Sequence, residues 1–291
     1  MKIKKLINYL LSFLTICFLF IIILYNKEIS NVIYESISLW YYLIIPSILP
    51  TYFIGNFLII NNNIFNIIYY LTNKIFHFEN KYSCLLFFIS FVISNPSITF
   101  LIKENYEKNT ISLNEANKLM RCTNHFSIIY IIKIIDFLYI PLILIALYSS
   151  SILIFIFSNN NIQTNIELKK TNIDLFKLFD DSYLLLLKIL VIMIFINIIS
   201  FILVKSFKTP KLITIFFEIT QGINTLNKLN FSQFYYHLYS LILLSFGGFS
   251  LIIQIIIINK KTMDIRNFFL YRIVHLILTI LIYFCLFKFF N

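Results

Sequence analysis

The chain has 291 residues, 59% of them hydrophobic and 13% charged, with a mean hydropathy of +0.85. Soluble domains carry about 25% charged residues, so this composition excludes a soluble globular protein and leaves no room for a large soluble domain beside one membrane bundle. The net charge of +11 comes mainly from lysines between apolar runs, and Arg121, Arg266 and Arg272 are the only arginines. That distribution argues against a nucleic-acid surface and fits basic membrane loops. Cys17, Cys84, Cys122 and Cys285 stand singly, which speaks against disulfides and structural zinc.

Lys2, Lys4 and Lys5 precede an apolar run over 6–25. It reads as an uncleaved anchor long enough to span a bilayer, with its N-terminus inside. Further apolar runs cover 37–60, 83–102, 126–157, 183–204, 233–258 and 273–290. Of the two longest polar connections, 103–125 carries Ser112-x-x-Glu115, a capping-box pattern that predicts a short amphipathic helix. The other, 158–182, reads as a surface loop.

Several runs are interrupted. Pro46 and Pro50 lie in the first, Ser94-Asn95-Pro96-Ser97 in the second, and Gly247-Gly248 in "LILLSFGGFSLIIQ". Proline removes a helix hydrogen bond and a glycine pair loosens the backbone. At membrane depth such backbone must be buried in protein or line a cavity. If 83–102 and 233–258 both dip in and return, sixteen Lys and Arg fall on the inner side (1–5, 61–82, 103–125, 205–211, 260–272) against four outside (26–36, 158–182). The positive-inside rule favours that arrangement. A weak echo relates 94–125, with its break, Arg121 and His125, to 245–275, with Gly247-Gly248, Arg272 and His275.

The expected fold is an all-α integral membrane bundle of five to eight membrane segments. It has two broken or re-entrant elements and two pseudo-repeated halves. The expected units are 1–36 (anchor and short loop), 37–157 (first half), 158–182 (polar loop) and 183–291 (second half).

The ordered elements "SLWYYLIIPSILPTYFIGNFLI" (38–59), "SNPSIT" (94–99), "LNEANKLMRCTNHFSIIYI" (113–131), "FFEITQGINTL" (216–226) and "LILLSFGGFSLIIQ" (241–254) resemble the YlbJ-type sporulation membrane proteins. These belong to the nucleoside-recognition, or Gate, family. The resemblance spans about 37–290. The first break departs from the family's Gly-Tyr-Pro-like pattern, and "CTNHF" replaces an Asn/Gly-rich stretch. What the resemblance implies is transport of a small anionic solute, dipicolinate, across the outer forespore membrane of the mother cell during endospore formation. A non-transporting scaffold or sensor in spore-envelope assembly is the alternative.

Glu218 is the leading candidate, because a carboxylate at mid-bilayer costs about 2.5–3.5 kcal/mol unless it is solvated or paired. It lines a pathway, or caps an interfacial segment. Asn95, Pro96 and Ser97, with Thr99, offer neutral donors and acceptors to an anion, or form a plain turn. Thr123, Asn124 and His125 line the same site, or cap a helix. Gln221, Gly222, Gly247, Gly248 and Gln254 suit backbone approach to a ligand, or tight helix packing. Lys133 and Asp136, three apart, read as an internal ion pair or a snorkelling lysine. No hydrolase, zincin or phosphate-loop motif occurs, so an enzyme is not expected, nor a cofactor or metal. The expected partners are the bilayer and the anionic solute, with a homo-oligomer compatible and nucleic acid not.

Overall fold

Apolar runs in hydrocarbon become helices because the backbone has only itself to hydrogen-bond with. The computed structural model describes residues 18–60, 63–123, 125–135, 140–158, 175–210, 215–229, 231–259 and 264–290, with isolated positions at 9–16 and 213. No strand occurs among them. The protein is an all-α integral membrane bundle with five helical stretches long and apolar enough to cross a bilayer: Asn26–Ile59, Ile140–Phe157, Leu175–Ser206, Gln233–Asn259 and Ile265–Lys288. Most of the expected anchor over 6–25 lies outside the described residues; 18–24 are helical.

The first crossing begins at Asn26, within a segment the sequence reading left as a loop. Helix α1 (Asn26–Leu39) passes through a π-helical turn, Trp40–Ile44, into α2 (Ile45–Ile60). The widened turn lies just before Pro46, whose ring would crowd the carbonyl four residues back in a regular helix. The proline pair therefore leaves the crossing unbroken. Helix α3 (Asn63–Phe76) follows.

Helices α4 (Lys81–Ile89) and α5 (Ser97–Glu107) are half-length. At 1.5 Å per residue each spans about 14–17 Å, half of a ~30 Å hydrocarbon core. Their outer ends are clasped together. Asn80 caps α4 through its Oδ1, while its Nδ2 donates to the Thr110 carbonyl at 2.8 Å. Glu79 Oε2 accepts from the Ser112 N–H and hydroxyl, at 3.2 and 2.8 Å. Residues 81–107 thus enter and return on one face, with 90–96 as the buried tip.

Helix α6 (Leu113–Cys122) starts at that face, with Ser112 Oγ accepting from the Glu115 N–H at 3.1 Å. Residues 123–127 are unwound, and α7 (Ile128–Ile134) and α8 (Ile140–Phe157) follow. The run 126–157 therefore holds two elements instead of one crossing. Phe155 at the end of α8 lies 4.9 Å from Phe78 and under Lys118, back at the hairpin's face. Helix α9 (Leu175–Phe207) begins inside the expected loop 158–182, of which 159–174 lie outside the described residues. It runs antiparallel to α1–α2: Phe53 meets Phe179, Trp40 Nε1 donates to the Leu186 carbonyl, and Tyr25 meets Phe201.

The second half corrects the expected topology. Helix α11 (Gln233–Phe246) joins α12 (Gly248–Asn259) through Gly247 and Gly248, both with positive φ (86° and 65°). Their path is fixed against α13 (Ile265–Phe290): Phe234 meets Phe287, the Phe246 carbonyl meets Arg272, and Asp264 N–H donates to Asn117 of α6. So 233–259 crosses as an interrupted helix and does not re-enter. The second re-entrant element is 208–229. Residues 215–218 reach the Gly248 turn, and α10 (Ile219–Lys228) leads back out. Consequently 158–182 and 205–211 exchange faces relative to the charge-based expectation.

Each half has the same order. A crossing (26–60; 175–207) is followed by a hairpin that dips in and returns (81–107; 208–229). An interrupted crossing (113–134; 233–259) and a full crossing (140–157; 265–290) complete it. The second half runs in the opposite sense, the inverted build seen where discontinuous helices meet at mid-membrane.

Candidate functional site

The interruptions converge. Ser94, Asn95 and Pro96 of the first tip, Glu218 and Thr220 of the second, and Ser250 and Gln254 of α12 line an inner cavity of about 40 Å³, closed by Tyr130 and aliphatic side chains. That is room for a few waters. Beside it lies a cleft of about 420 Å³ between α1, the outer part of α9 and α10, lined by Glu35, Asn197, Ser200, Gln221, Thr225 and Lys228 among others. Glu218 lines both spaces.

The local sequence explains how Glu218 is held. It is the N-cap of α10, in extended conformation. Its Oε2 accepts from the Gln221 N–H at 2.7 Å, and its Oε1 from the Thr220 hydroxyl at 3.0 Å. Thr220 Oγ1 is 3.2 Å from the Tyr130 hydroxyl of α7, so the carboxylate is wired to the first half. Gly222 lets α10 pack on its own approach segment, since a Cβ there would overlap the Ile215 carbonyl. The carbonyls of Phe216 and Phe217 accept from the N–H groups of Phe249 and Ser250, at 3.0 and 2.9 Å, satisfying donors that the first turn of α12 leaves open.

The first tip is built comparably. Ile128 N–H donates to the Phe91 carbonyl and Ser127 N–H to Ser94 Oγ, while Asn95 Nδ2 donates to the Thr123 carbonyl. Asn95 Oδ1, Ser97 Oγ and Thr123 Oγ1 are buried without a hydrogen-bond partner. Pro96 follows a cis bond and lines the cavity, and Thr99 Oγ1 donates to its carbonyl. Helices α5 and α10 both begin at this point, so the positive ends of two half-helix dipoles face the cavity.

The predicted residues therefore divide. Asn95, Pro96, Glu218 and Gln254 line the inner cavity; Gln221 and Gly222 line the cleft with Glu218. Ser97 and Thr123 stand beside the tip without lining either space. Gly247 and Gly248 form the turn behind the site. Asn124 and Asp136 lie outside the described residues, and Lys133 is exposed.

His125 is buried away from the cavity. It stacks on Phe91 at 4.9 Å, with Ser90 Oγ 3.2 Å from its Nε2 and Ser151 Oγ 2.8 Å from its Nδ1. Ser151 Oγ is also 3.1 Å from His275 Nε2. The two histidines of the sequence echo thus share one serine.

Sequence reasoning missed Tyr130, Thr220 and Ser250, which look like ordinary residues of apolar or capped segments. It also missed Arg272, counted as a loop charge. Arg272 has 0% exposure, and its Nε donates to the Phe246 carbonyl at 2.7 Å. A Cβ on Gly247 would overlap its guanidinium. The available signal was a cation eight residues inside a helix of apolar composition.

Among the described residues no group of three or more His, Cys, Asp or Glu is placed to hold a metal ion. No protein-family model, curated protein or solved structure matches the chain.

Proposed function

We propose that the chain is a membrane transporter of a small anionic solute of the dipicolinate class. It acts in endospore formation at the outer forespore membrane of the mother cell, as the resemblance of its motifs implies. The observation that carries transport is the position of Glu218 between an open polar cleft and a closed polar cavity, at the point where two hairpins from opposite faces meet. The cleft is large enough for a dicarboxylate and the inner cavity is not. Solute enters beside α10, and rearrangement of the tips passes it inward.

A carboxylate repels an anion, so Glu218 works with a proton or cation that neutralises it during the cycle. The neutral donors at Asn95 and Thr220 and the two helix N-termini then face the solute. The test is uptake of radiolabelled dipicolinate by proteoliposomes holding the purified protein. Wild type accumulates label above protein-free vesicles. Glu218→Gln keeps the side-chain volume and an accepting oxygen for the α10 cap but loses the charge, and uptake falls at least about tenfold. Wild-type vesicles that take up no dicarboxylate overturn the reading.

A scaffold or sensor is the second reading. The observation in its favour is that His125, Ser151 and His275 form a dry, hydrogen-bonded core apart from either cavity.

A further inference from the structure

A buried cation needs a reason. Arg272 is the largest fully buried side chain of the protein, in the membrane-crossing part of α13. A charge taken out of water costs several kcal/mol unless the protein uses or compensates it. Its surroundings are shaped for it. The guanidinium occupies the space beneath Gly247 that any Cβ would fill, and its Nε holds the last carbonyl of α11. Gly248, the next residue, packs on the Phe216 carbonyl and on Ile219, the segment that carries Glu218. One turn further along α13, His275 joins Ser151 and, through it, His125. Three basic side chains thus stand in one line behind the two tips.

The cavities themselves are acidic: Glu218 lines both, and Glu35 shares the cleft with Lys228. For an anion, that lining is the wrong sign. A positive charge set behind the Gly247-Gly248 turn, in low dielectric where its field is little screened, corrects it without touching the solute. We propose that Arg272 is the positioning and specificity-determining cation of the site, and that its charge makes the pathway select dianions over neutral molecules of the same shape. The proposal rests on the anion-transport reading above. It differs from helix capping in one respect: a neutral donor could hold the Phe246 carbonyl, but only a cation discriminates by charge.

The experiment compares dipicolinate with its uncharged isostere, pyridine-2,6-dicarboxamide, as competing solutes in the same proteoliposome assay. Wild type should prefer the dianion. Arg272→Gln, checked for monodispersity and unfolding temperature in detergent, should lose that preference by at least about tenfold, through a raised KM for the dianion with the diamide unaffected. Arg272→Lys should restore most of it. Equal loss for both solutes, in a folded Arg272→Gln, assigns the residue to structure alone and overturns the proposal. So does wild type that does not distinguish dianion from diamide, a result that needs no variant to fold. Failure of wild type to carry either solute instead overturns the transport reading, and the selectivity proposal falls with it.

Discussion

At the scale of single residues, the sequence shows which groups are out of place in hydrocarbon but not what they touch. Glu218 was visible because a carboxylate between "LITIFF" and "ITQG" is costly there. Its capping of α10 was not, since that depends on the backbone turning extended at one position. Gly247 was visible as a packing or approach glycine. The reason, a guanidinium 25 residues away in sequence, was invisible because nothing local marks the pair. The serine between the histidines is the same kind of case. Ser151 lies in "LYSSSILIF" and looks interchangeable with its neighbours. Yet it hydrogen-bonds with His125 and His275 at 2.8 and 3.1 Å. Removing its hydroxyl leaves buried imidazole nitrogens short of a partner, at about 1–3 kcal/mol each. Ser151→Ala should therefore lower the unfolding temperature in detergent clearly, whereas Ser149→Ala, exposed on the same helix, should not. Equal melting of the two variants would show that the network does not hold the core together.

At the scale of elements, half-helices and caps were more legible than topology. Ser112 was read as a cap and caps α6, because the pattern is local. The reciprocal half of the box fails: the Ser112 N–H goes to Glu79, and Glu115 Oε1 faces the Glu79 N–H at 3.5 Å instead. The second hairpin was misplaced because Gly247-Gly248 resembles a tip, whereas 208–229 has no apolar run to announce it. The clasp at the first hairpin's outer ends carries a pH dependence. Glu115, at the outer end of α6, is fully buried, and burial pushes its carboxyl up to about 7, partly offset by Lys118. A carboxyl raised on folding binds more protons in the folded state. Its stabilising contribution is complete below the unfolded value of about 4.3 and is lost as pH rises through about 7. Thermal unfolding should therefore show stability falling between pH 5 and 8, by up to about 3 kcal/mol at this site. Glu115→Gln should flatten that slope. A slope unchanged by the substitution would place the titration elsewhere.

At the scale of the whole molecule, composition alone announced a membrane bundle, and two halves with interruptions were anticipated. The faces on which the loops lie were not, because one apolar run, 126–157, holds two elements and so inverts everything after it. Contacts group the clasp at 79–80 and 110–115, the end of α8, the start of α9 and the α12–α13 connection on one face. The end of α9, the α10–α11 connection and the end of α13 lie on the other. The first face carries Lys74, Lys81, Lys103, Lys108, Lys118, Arg121, Lys177 and Arg266, and the loops that begin and end there add Lys169, Lys170, Lys260 and Lys261. The second carries Lys27, Lys205, Lys208, Lys211, Lys228 and Lys288, with Lys133 beside it. The positive-inside rule weighs short loops of this kind, so the hairpin 81–107 enters from the cytoplasmic side and the cleft beside α10 opens to the opposite side. In a background lacking the native cysteines, Asn109→Cys should react with a membrane-impermeant maleimide only after the cells are permeabilised, and Lys208→Cys in intact cells. Labelling of both from the same side would show that 126–157 crosses once after all and would remove the inverted arrangement of the halves. Labelling from opposite sides but in the reverse order would keep that arrangement and turn the cleft to the cytoplasm, so that solute would leave the cytoplasm through it instead of entering.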